Sequence, residues 1–596
     1  MRAGGIGGVT VLQSLDKYYR RMADRGDADP PGYSRKSIDV RIWLDAEGGI
    51  TKVEDLNEYG GKKPVPPRLA VPQEVIRTSG VASNFLWDKT AYTLGIARDK
   101  DKKSIRYAEK EHAEFKRLHA ERLAGTNDAG LRALLAFLAR WQPADFLSDA
   151  RFTADMLDKN IVFGLAGGDL ESLHDRPAAR ALIESPREVW KTAFCLVSGV
   201  EAPIERLHPA IQGVDGAQSS GARLVSYNAD AFISYGAEGG ANAPTSEQAA
   251  FRYGTALNRL LDRGSSNRLK IGDATVAFWA DADGVGEAAA VACERFFGGL
   301  ASPPGDGQEA EKIRVILKDI ANTRPLKEID PTLEARTRFH ILGLSPNAAR
   351  LSVRYWMTDE FGRFAARLAR HYENIAIEPA PWRAKLPSVQ ILLVRTTALQ
   401  EKFENIPPLL AGEVTRAVLE GLPYPRTLLT AAIARLRAGD APHTGWHAAV
   451  IKACINRSEK ETLPMSRDPD NTNAAYQLGR LLAVLEAAQK AALGRVNASI
   501  VDRYYGAASA TPARVFGPLL RNARNHVSDA TKRGKGKWIE SRLNEIFSKL
   551  PADMPTTLKL VDQGRFAVGY YHERAWYGPE QPDAEDAEAE TQGDTK

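Results

Sequence analysis

Thiols are almost missing from this chain. Its three cysteines, Cys195, Cys293 and Cys454, stand far apart and none belongs to a CxxC pair, which argues against a disulfide framework or a paired-cysteine metal site and points to buried thiols in a reducing compartment. Long hydrophobic runs are missing as well. No stretch reaches the roughly 18 apolar residues of a membrane span, and the opening MRAGGIGGVTVLQSL lacks the continuous apolar core of a signal peptide. The expected location is the cytoplasm, away from any membrane.

Catalytic signatures are equally scarce. The run Arg533-Gly534-Lys535-Gly536-Lys537 has the glycines and lysines of a phosphate loop but no preceding strand, and reads as a basic loop between two helices. No HExxH helix, Asp/Asn-rich calcium loop or GxSxG elbow occurs, so no metal, no cofactor and no catalytic centre is expected. His174-Asp175 is a lone dyad among ten histidines and reads as chance adjacency. The carboxylates of a metal-dependent nuclease would be scattered along the sequence and escape such a scan, so that enzyme stays as the alternative.

What the chain does have is unevenly placed charge. Lys and Arg number 80 against 75 Asp and Glu, a formal net charge of +5. From Pro579 to Lys596 seven acidic residues face one Lys, so this tail holds −6 and residues 1–578 hold +11. A basic body permits contact with nucleic acid without establishing it, because a solvated Lys/Arg surface has the same composition. With 43% apolar and 26% charged residues the chain is of globular type, and its length implies about three or four units.

Periodicity places the elements. Leu12, Leu15, Tyr18, Tyr19 and Met22 share a helical face, and Ile38 to Leu44 alternates as a strand that turns through Asp45-Ala46-Glu47-Gly48-Gly49 and returns through Ile50 and Val53. Residues 60 to 68, GGKKPVPPR, read as a loop. Farther on, Leu224 and Val225 begin a short strand, Thr275 to Trp279 form another, and Arg338 to Leu344 pairs with Leu351, Val353 and Tyr355 around a turn at Ser345-Pro346-Asn347. Ser302 to Gly307 reads as a linker, and Phe361, Phe364, Leu368, His371 and Tyr372 line a helix. Beyond Leu409 only helical periodicity remains, with Thr511 and Asp562 expected as N-caps of two of the helices. The expected class is α+β: mixed regions over 1–215 and 216–408, a helical connector over 409–464, an all-α bundle over 465–578 and a disordered acidic tail over 579–596.

Three loops and one helical region carry residues suited to nucleic acid. Lys62, Lys63 and Arg68 lie on the Pro-stiffened loop, where cations can meet phosphates or simply stay solvated. Arg77, Ser79 and Asn84 lie ahead of an amphipathic start where Asp88 and Tyr92 share a face, and capping explains Ser79, Asn84 and Asp88 as well as ligand contact does. Gly216 to Gly221 carries Gln218 and Ser220 and leads to Asn228, and Gln218 could read a base edge or brace its own loop. Residues 465–578 hold 17 Lys/Arg against 10 Asp/Glu, among them Arg521, Arg524, Lys532, Arg533, Lys535 and Lys537. That excess suits contact with a phosphate backbone irrespective of sequence.

At these residues the sequence resembles the large subunit of the type I-C CRISPR Cascade, the Csd-type, Dvulg-subtype family. The matching stretches are Pro30 to Ser34 (PPGYS), Val71 to Gly95, Gly216 to Leu261, Phe339 to Trp356, Gly421 to Pro425 (GLPYP), Ala475 to Gln489, Asp502 to Leu520 and Asp562 to Arg574. The first eight residues and the acidic tail lie outside the family pattern. The resemblance implies a DNA-binding subunit of an RNA-guided antiviral complex that recognises a protospacer-adjacent motif in double-stranded DNA. It would help open the duplex into an R-loop and help recruit a separate helicase-nuclease, with no catalytic centre of its own. Implied partners are the backbone and guide-end-capping subunits, the small subunit, the CRISPR guide RNA, the target duplex and its displaced single strand. The C-terminal helices resemble the small subunit. By the same resemblance the Lys62, Lys63 and Arg68 loop and the Arg77 to Asn84 stretch come first for duplex contact, and Gln218, Ser220 and Asn228 second. A connector without DNA contacts is the third reading.

Overall fold

The computed structural model of the chain describes residues 9–576 except 60–63, 76, 78–79, 100–103, 169–171, 185–188, 219, 228, 272, 302–306, 383–385, 460–461, 495 and 535. The expected linker at Ser302 to Gly307 and the expected disordered tail therefore fall mostly or wholly outside the described residues. Two compact units are present, one formed by residues 1–209 with 226–257 and the other by 210–225 with 258–596.

The first unit opens on α1 (Val11–Asp24), whose start is fixed by a reciprocal cap between Thr10 and Gln13 and whose inner face buries Leu15, Tyr18, Tyr19 and Met22. A ribbon strand, β1 (Tyr33–Ser37), precedes the expected hairpin of β2 (Val40–Leu44) and β3 (Ile50–Asp55). Gly48 in its turn has φ +79°, and a Cβ there would lie 2.4 Å from the amide nitrogen of Phe137, so the turn and the close approach both require glycine. β4 (Arg68–Pro72) pairs antiparallel with β1, while β5 (Trp87–Lys89) joins β6 (Asn160–Leu165) in a four-stranded sheet of order β3-β2-β6-β5. Only β2 and β6 run parallel. Helices α2 (Glu109–Arg122) and α3 (Ala129–Arg140) cover the sheet, burying Phe115, Leu131, Leu134 and Phe137 with Ile42, Leu44 and Phe163.

In the second unit the sheet has order β7-β8-β12-β11-β10-β9, formed by β7 (Ala210–Ile211), β8 (Ala222–Arg223), β9 (Arg268–Ile271), β10 (Ala274–Ala280), β11 (Arg338–Asn347) and β12 (Arg350–Glu360). Two expectations are corrected here. The short strand is Ala222–Arg223, two residues ahead of Leu224 and Val225, because Arg223 takes its register from Arg350 across the sheet. Ser345, Pro346 and Asn347 continue the strand, and the chain reverses at Ala348-Ala349, where Ala348 takes φ +52°. Pro346 is tolerated at the strand's last turn-side positions, where ladder donors are no longer all needed. The helix α4 (Phe361–Ile375) follows directly and buries Phe361, Phe364, Leu368, His371 and Tyr372 as expected.

Beyond it come α5 (Trp446–Ser458), α6 (Ala474–Leu493), α7 (Ile500–Ala510), α8 (Pro512–Lys532), α9 (Gly536–Phe547) and α10 (Leu560–Trp576), the expected helical region. Thr511 does not cap α8: its hydroxyl donates back to the Ala507 carbonyl at 3.2 Å. Asp562 lies inside the first turn of α10, which begins at Leu560, and pairs with Arg565 at 2.8 Å. The apolar core runs without a break from Val276 and Phe278 in the sheet to Phe566 and Tyr570 in α10, so the change from strand to helix near residue 408 is a change of secondary structure within one core.

Two features set how α6 and α10 cross. A Cβ on Gly479 would lie 2.0 Å from the Phe566 carbonyl oxygen, and one on Gly569 would lie 2.2 Å from that of Tyr476. Next to Gly479, fully buried Arg480 reaches Glu573 of α10 at 2.6 Å and also pairs with Glu545 of α9. Gly479→Ala is therefore expected to force the helices apart and lower unfolding free energy by about 3 kcal/mol, the upper range of overpacking. Denaturant titration checks this against Gly412→Ala, a helical glycine with open space around it, which should change stability by less than about 1 kcal/mol in the stabilising direction.

Candidate nucleic-acid interface

Lys62, Lys63, Ser79, Asn228 and Lys535 lie outside the described residues. Of the remaining candidates, those near the N-terminus are committed to the fold. Arg68 is not a loop residue: it is the first residue of β4, pairs in register with Ser37, and donates from Nη2 to the Arg35 carbonyl at 3.3 Å. The Pro-rich stretch ahead of it gives way to strand as soon as a residue with a free N–H can enter the ladder.

Arg77 folds inward. Its Nε donates to the Ala82 carbonyl at 2.7 Å, its guanidinium pairs with Asp88 and lies 4.1 Å from the centre of the Tyr92 ring. Asp88 is 1% exposed and stands in β5, not on a helix with Tyr92. Its carboxylate also accepts from the backbone N–H groups of Asn84 at 2.9 Å and Lys89 at 2.8 Å. Asn84 is itself buried, and its Oδ1 accepts from the Val75 N–H at 2.9 Å. Burial pushes the Asp88 carboxyl above the ordinary carboxylate range even though Arg77 and the amides pull it down. Arg77 and Asn84 thus hold the 75–89 segment together.

The Gly216 loop is built differently. It joins β7 to β8, with Gly216 at φ +78° and Gly221 at φ +92°. Asp215 anchors it from below, accepting from Arg268 at 2.6 Å while its own N–H donates to the Thr275 hydroxyl at 2.9 Å. The tip is closed by main chain, the Gly221 N–H donating to the Gln218 carbonyl at 2.8 Å. Because the backbone already braces the turn, the Gln218 side chain is left exposed and has no hydrogen-bond partner among the described residues; Ser220 is exposed beside it.

The longest cationic surface lies on α8. Its inner face buries Phe516, Leu519, Ala523 and Ala530. At 100° per residue, Arg514, Arg521, Ser528 and Lys532 fall on the opposite side, with Arg524 at its flank. All five are exposed. Lys532 makes a surface pair with Asp529 at 3.0 Å, which contributes little in water. Arg514, Arg521, Arg524 and, at the start of α9, Lys537 have no ion-pair or side-chain hydrogen-bond partner among the described residues. From Arg514 to Lys532 the row spans about 27 Å. Arg514 escaped the sequence reading, although its seven-residue spacing from Arg521 was the available signal.

By contrast, one group of inward-pointing arginines in the helical region is neutralised by carboxylates. Arg467, Arg480 and Arg542 surround Glu545 and Glu573. Burial raises the Glu545 carboxyl, but the hydrogen bonds from Arg480 and Arg542 outweigh it and hold that group below its usual range. Another feature that periodicity did not reveal is the ribbon Thr192–Phe194 with Glu201–Pro203, which leaves Val189, Trp190, Phe194, Leu196 and Val200 exposed. Among the described residues, no three His, Cys, Asp or Glu side chains are grouped so as to hold a metal ion, and no helix is long and apolar enough to cross a membrane. His174 and Asp175 stand 3.8 Å apart with the imidazole buried and its protonation suppressed, chiefly by desolvation, to about 4.

The family described as CRISPR-associated protein (Cas_Csd1) matches residues 15–577, nearly the whole chain. No curated protein matches the chain.

The Arg77–Asp88 pair supplies a pH-dependent expectation. Removing the guanidinium in Arg77→Ala leaves a buried carboxylate uncompensated, at a cost of about 3 kcal/mol near neutral pH. The folded-state pKa of Asp88, already raised, rises further, so the folded state binds the proton more tightly than the unfolded one. Stability of the variant is therefore lost as pH rises from about 4, the unfolded value, through the folded value. Melting curves across that range should show the deficit against wild type shrinking toward acid pH; a deficit independent of pH would remove Asp88 as its cause.

Proposed function

The chain belongs to the family of CRISPR-associated proteins described as Cas_Csd1, and from that membership we propose that it is the non-catalytic large subunit of an RNA-guided type I-C surveillance complex. In this reading it recognises a short flanking motif in double-stranded DNA, promotes opening of the duplex and helps recruit a separate helicase-nuclease. Guide pairing reads the target, and the protein needs to read only a few flanking base pairs. Its partners are the backbone and guide-end-capping subunits, the small subunit, the guide RNA, the duplex and the displaced strand.

The observation that carries this reading is the unneutralised row Arg514, Arg521 and Arg524 on the outer face of α8. The helical region pairs Arg467, Arg480 and Arg542 with carboxylates but leaves these three to solvent, and a phosphate backbone is the partner that such spacing over about 15 Å suits, because successive phosphates need no side-chain specificity. For the duplex, Gln218 on its braced turn is better suited to read a base edge than Arg77 or Asn84, whose side chains are engaged inside the fold. Lys62 and Lys63 keep their place in the reading on sequence grounds alone. Ser79, Asn228 and Lys535 do likewise.

Replacing Arg514, Arg521 and Arg524 together by Ala should weaken single-strand binding and lower the slope of log affinity against log salt by about 2, at about 0.7 per phosphate contact. An unchanged slope in a folded variant would sink the role given to α8. Gln218→Ala in the assembled complex should blunt discrimination between permitted and forbidden flanking motifs more than it lowers overall affinity, as competition binding on a panel of duplexes can measure. Equal losses on every flank would make Gln218 a bystander. Incubating the chain with Mg²⁺ or Mn²⁺ and labelled duplex tests the non-catalytic part, and cleavage that disappears with a carboxylate substitution would replace it by a metal-dependent nuclease.

A further inference from the structure

The helix α10 ends at Trp576, and the place where it ends is well defined. The Trp576 ring lies 4.0 Å from the Arg542 guanidinium carbon of α9 and 5.2 Å from that of Arg467. Lys537 precedes Arg542 by five residues on the same helix, about 7.5 Å along its axis. Lys532 and Arg533 come just before, at the end of α8. The chain beyond Trp576 therefore starts against α9, about one and a half turns along its axis from Lys537.

That remaining chain has the opposite charge. Residues 577–596 carry seven acidic residues, the first at Glu580, against the single Lys596. They lie almost entirely past residue 577, where the family match stops. Glu580 is four residue steps beyond Trp576, enough to span about 13 Å, and twenty residues reach about 66 Å when extended. The 21-residue α8 is about 31 Å long. The tail can thus run the full length of the exposed row from Lys537 and Lys532 to Arg524, Arg521 and Arg514.

We propose that the acidic tail, residues 579–596, docks on the outer face of α8 and the first turn of α9 and competes there with nucleic acid as a tethered polyanion. The inference rests on the reading of that face as a nucleic-acid surface. Each exposed ion pair is weak and screened by salt, but the tether gives the tail an effective concentration in the millimolar range. Short or adventitious strands are held off, while a long strand delivered by the assembled complex displaces the tail.

Three proteins test this: the full chain, the chain ending at Gly578, and the full chain with its tail Asp and Glu residues replaced by Asn and Gln. Anisotropy titrations with a fluorescent oligothymidylate at about 50 mM salt should show both altered proteins binding about ten-fold tighter than the full chain, with the difference fading by about 300 mM as the charges are screened. Independently of any nucleic acid, zero-length carbodiimide coupling of the full chain should join tail carboxylates to Lys532 or Lys537, read by mass spectrometry, and the coupling should fall when oligothymidylate is added. Equal affinities in all three proteins, or an absence of such cross-links, overturns the docking. If instead the chain ending at Gly578 binds as well with Arg514, Arg521 and Arg524 replaced by Ala as without, the nucleic-acid reading of α8 fails separately, and cross-links to Lys532 or Lys537 would still establish where the tail sits.

Discussion

Where α6 crosses α10, Gly479 and Gly569 let the two backbones touch, and one residue along Arg480 is sealed against Glu573 with no exposed surface on either side chain. Such a pair adds little net stability, since desolvating both charges offsets most of their attraction, but it is costly to break. Its consequence is register. Sliding either helix by one residue would drive a side chain into a carbonyl oxygen and leave a buried charge alone. Tyr570 and Glu486 share a hydrogen bond of 2.7 Å along the same crossing, and Tyr476 lies 2.9 Å from His572 Nδ1, so these polar pairs form only in this one arrangement.

The outward face of α8 depends on that register. The helix packs on α6 through Phe516, Leu519 and Ala523, so once α6 is fixed the rotation of α8 is fixed as well, and its arginines can point only to water. The region consequently contains two populations of arginine that composition cannot tell apart. One, formed by Arg467, Arg480 and Arg542, is consumed in holding helices together. The other, formed by Arg514, Arg521 and Arg524, is left available for a polyanion. Removing a member of the first group unbalances a buried network, whereas removing a member of the second changes the field at the surface and little else.

A similar contrast separates the two kinds of loop. Around Arg77 the side chains close the structure: the guanidinium pairs with Asp88 and lies against the Tyr92 ring, the carboxylate takes the Asn84 N–H, and the Asn84 amide oxygen takes the Val75 N–H. Around Gln218 the main chain closes the turn, helped by two glycines at positive φ and by the Asp215–Arg268 pair beneath, and the amide side chain is spare. A turn that is rigid without using its side chains is the better platform for recognition, because little ordering entropy is lost on binding.

The amino-acid sequence by itself determined the α+β class, the β2–β3 hairpin, the stripe of α4, the helical character of the described residues beyond 408 and, through stretches spread over its length, the family. Those features follow from local periodicity and turn chemistry, which act over a few residues and leave a readable pattern. Legibility failed where a residue's fate depends on what lies opposite it. Nothing local distinguishes Arg68, which continues a ladder with Ser37, from a loop arginine, and nothing local marks Asp88 as the buried partner of Arg77. The turn at Ala348-Ala349 was hidden because cross-strand register overrode the turn propensity of Ser345-Pro346-Asn347. The tertiary structure alone decided which arginines are neutralised and which are free, since ion pairing depends on distance in space between residues as far apart in sequence as Arg480 and Glu573, and sequence spacing does not encode that distance.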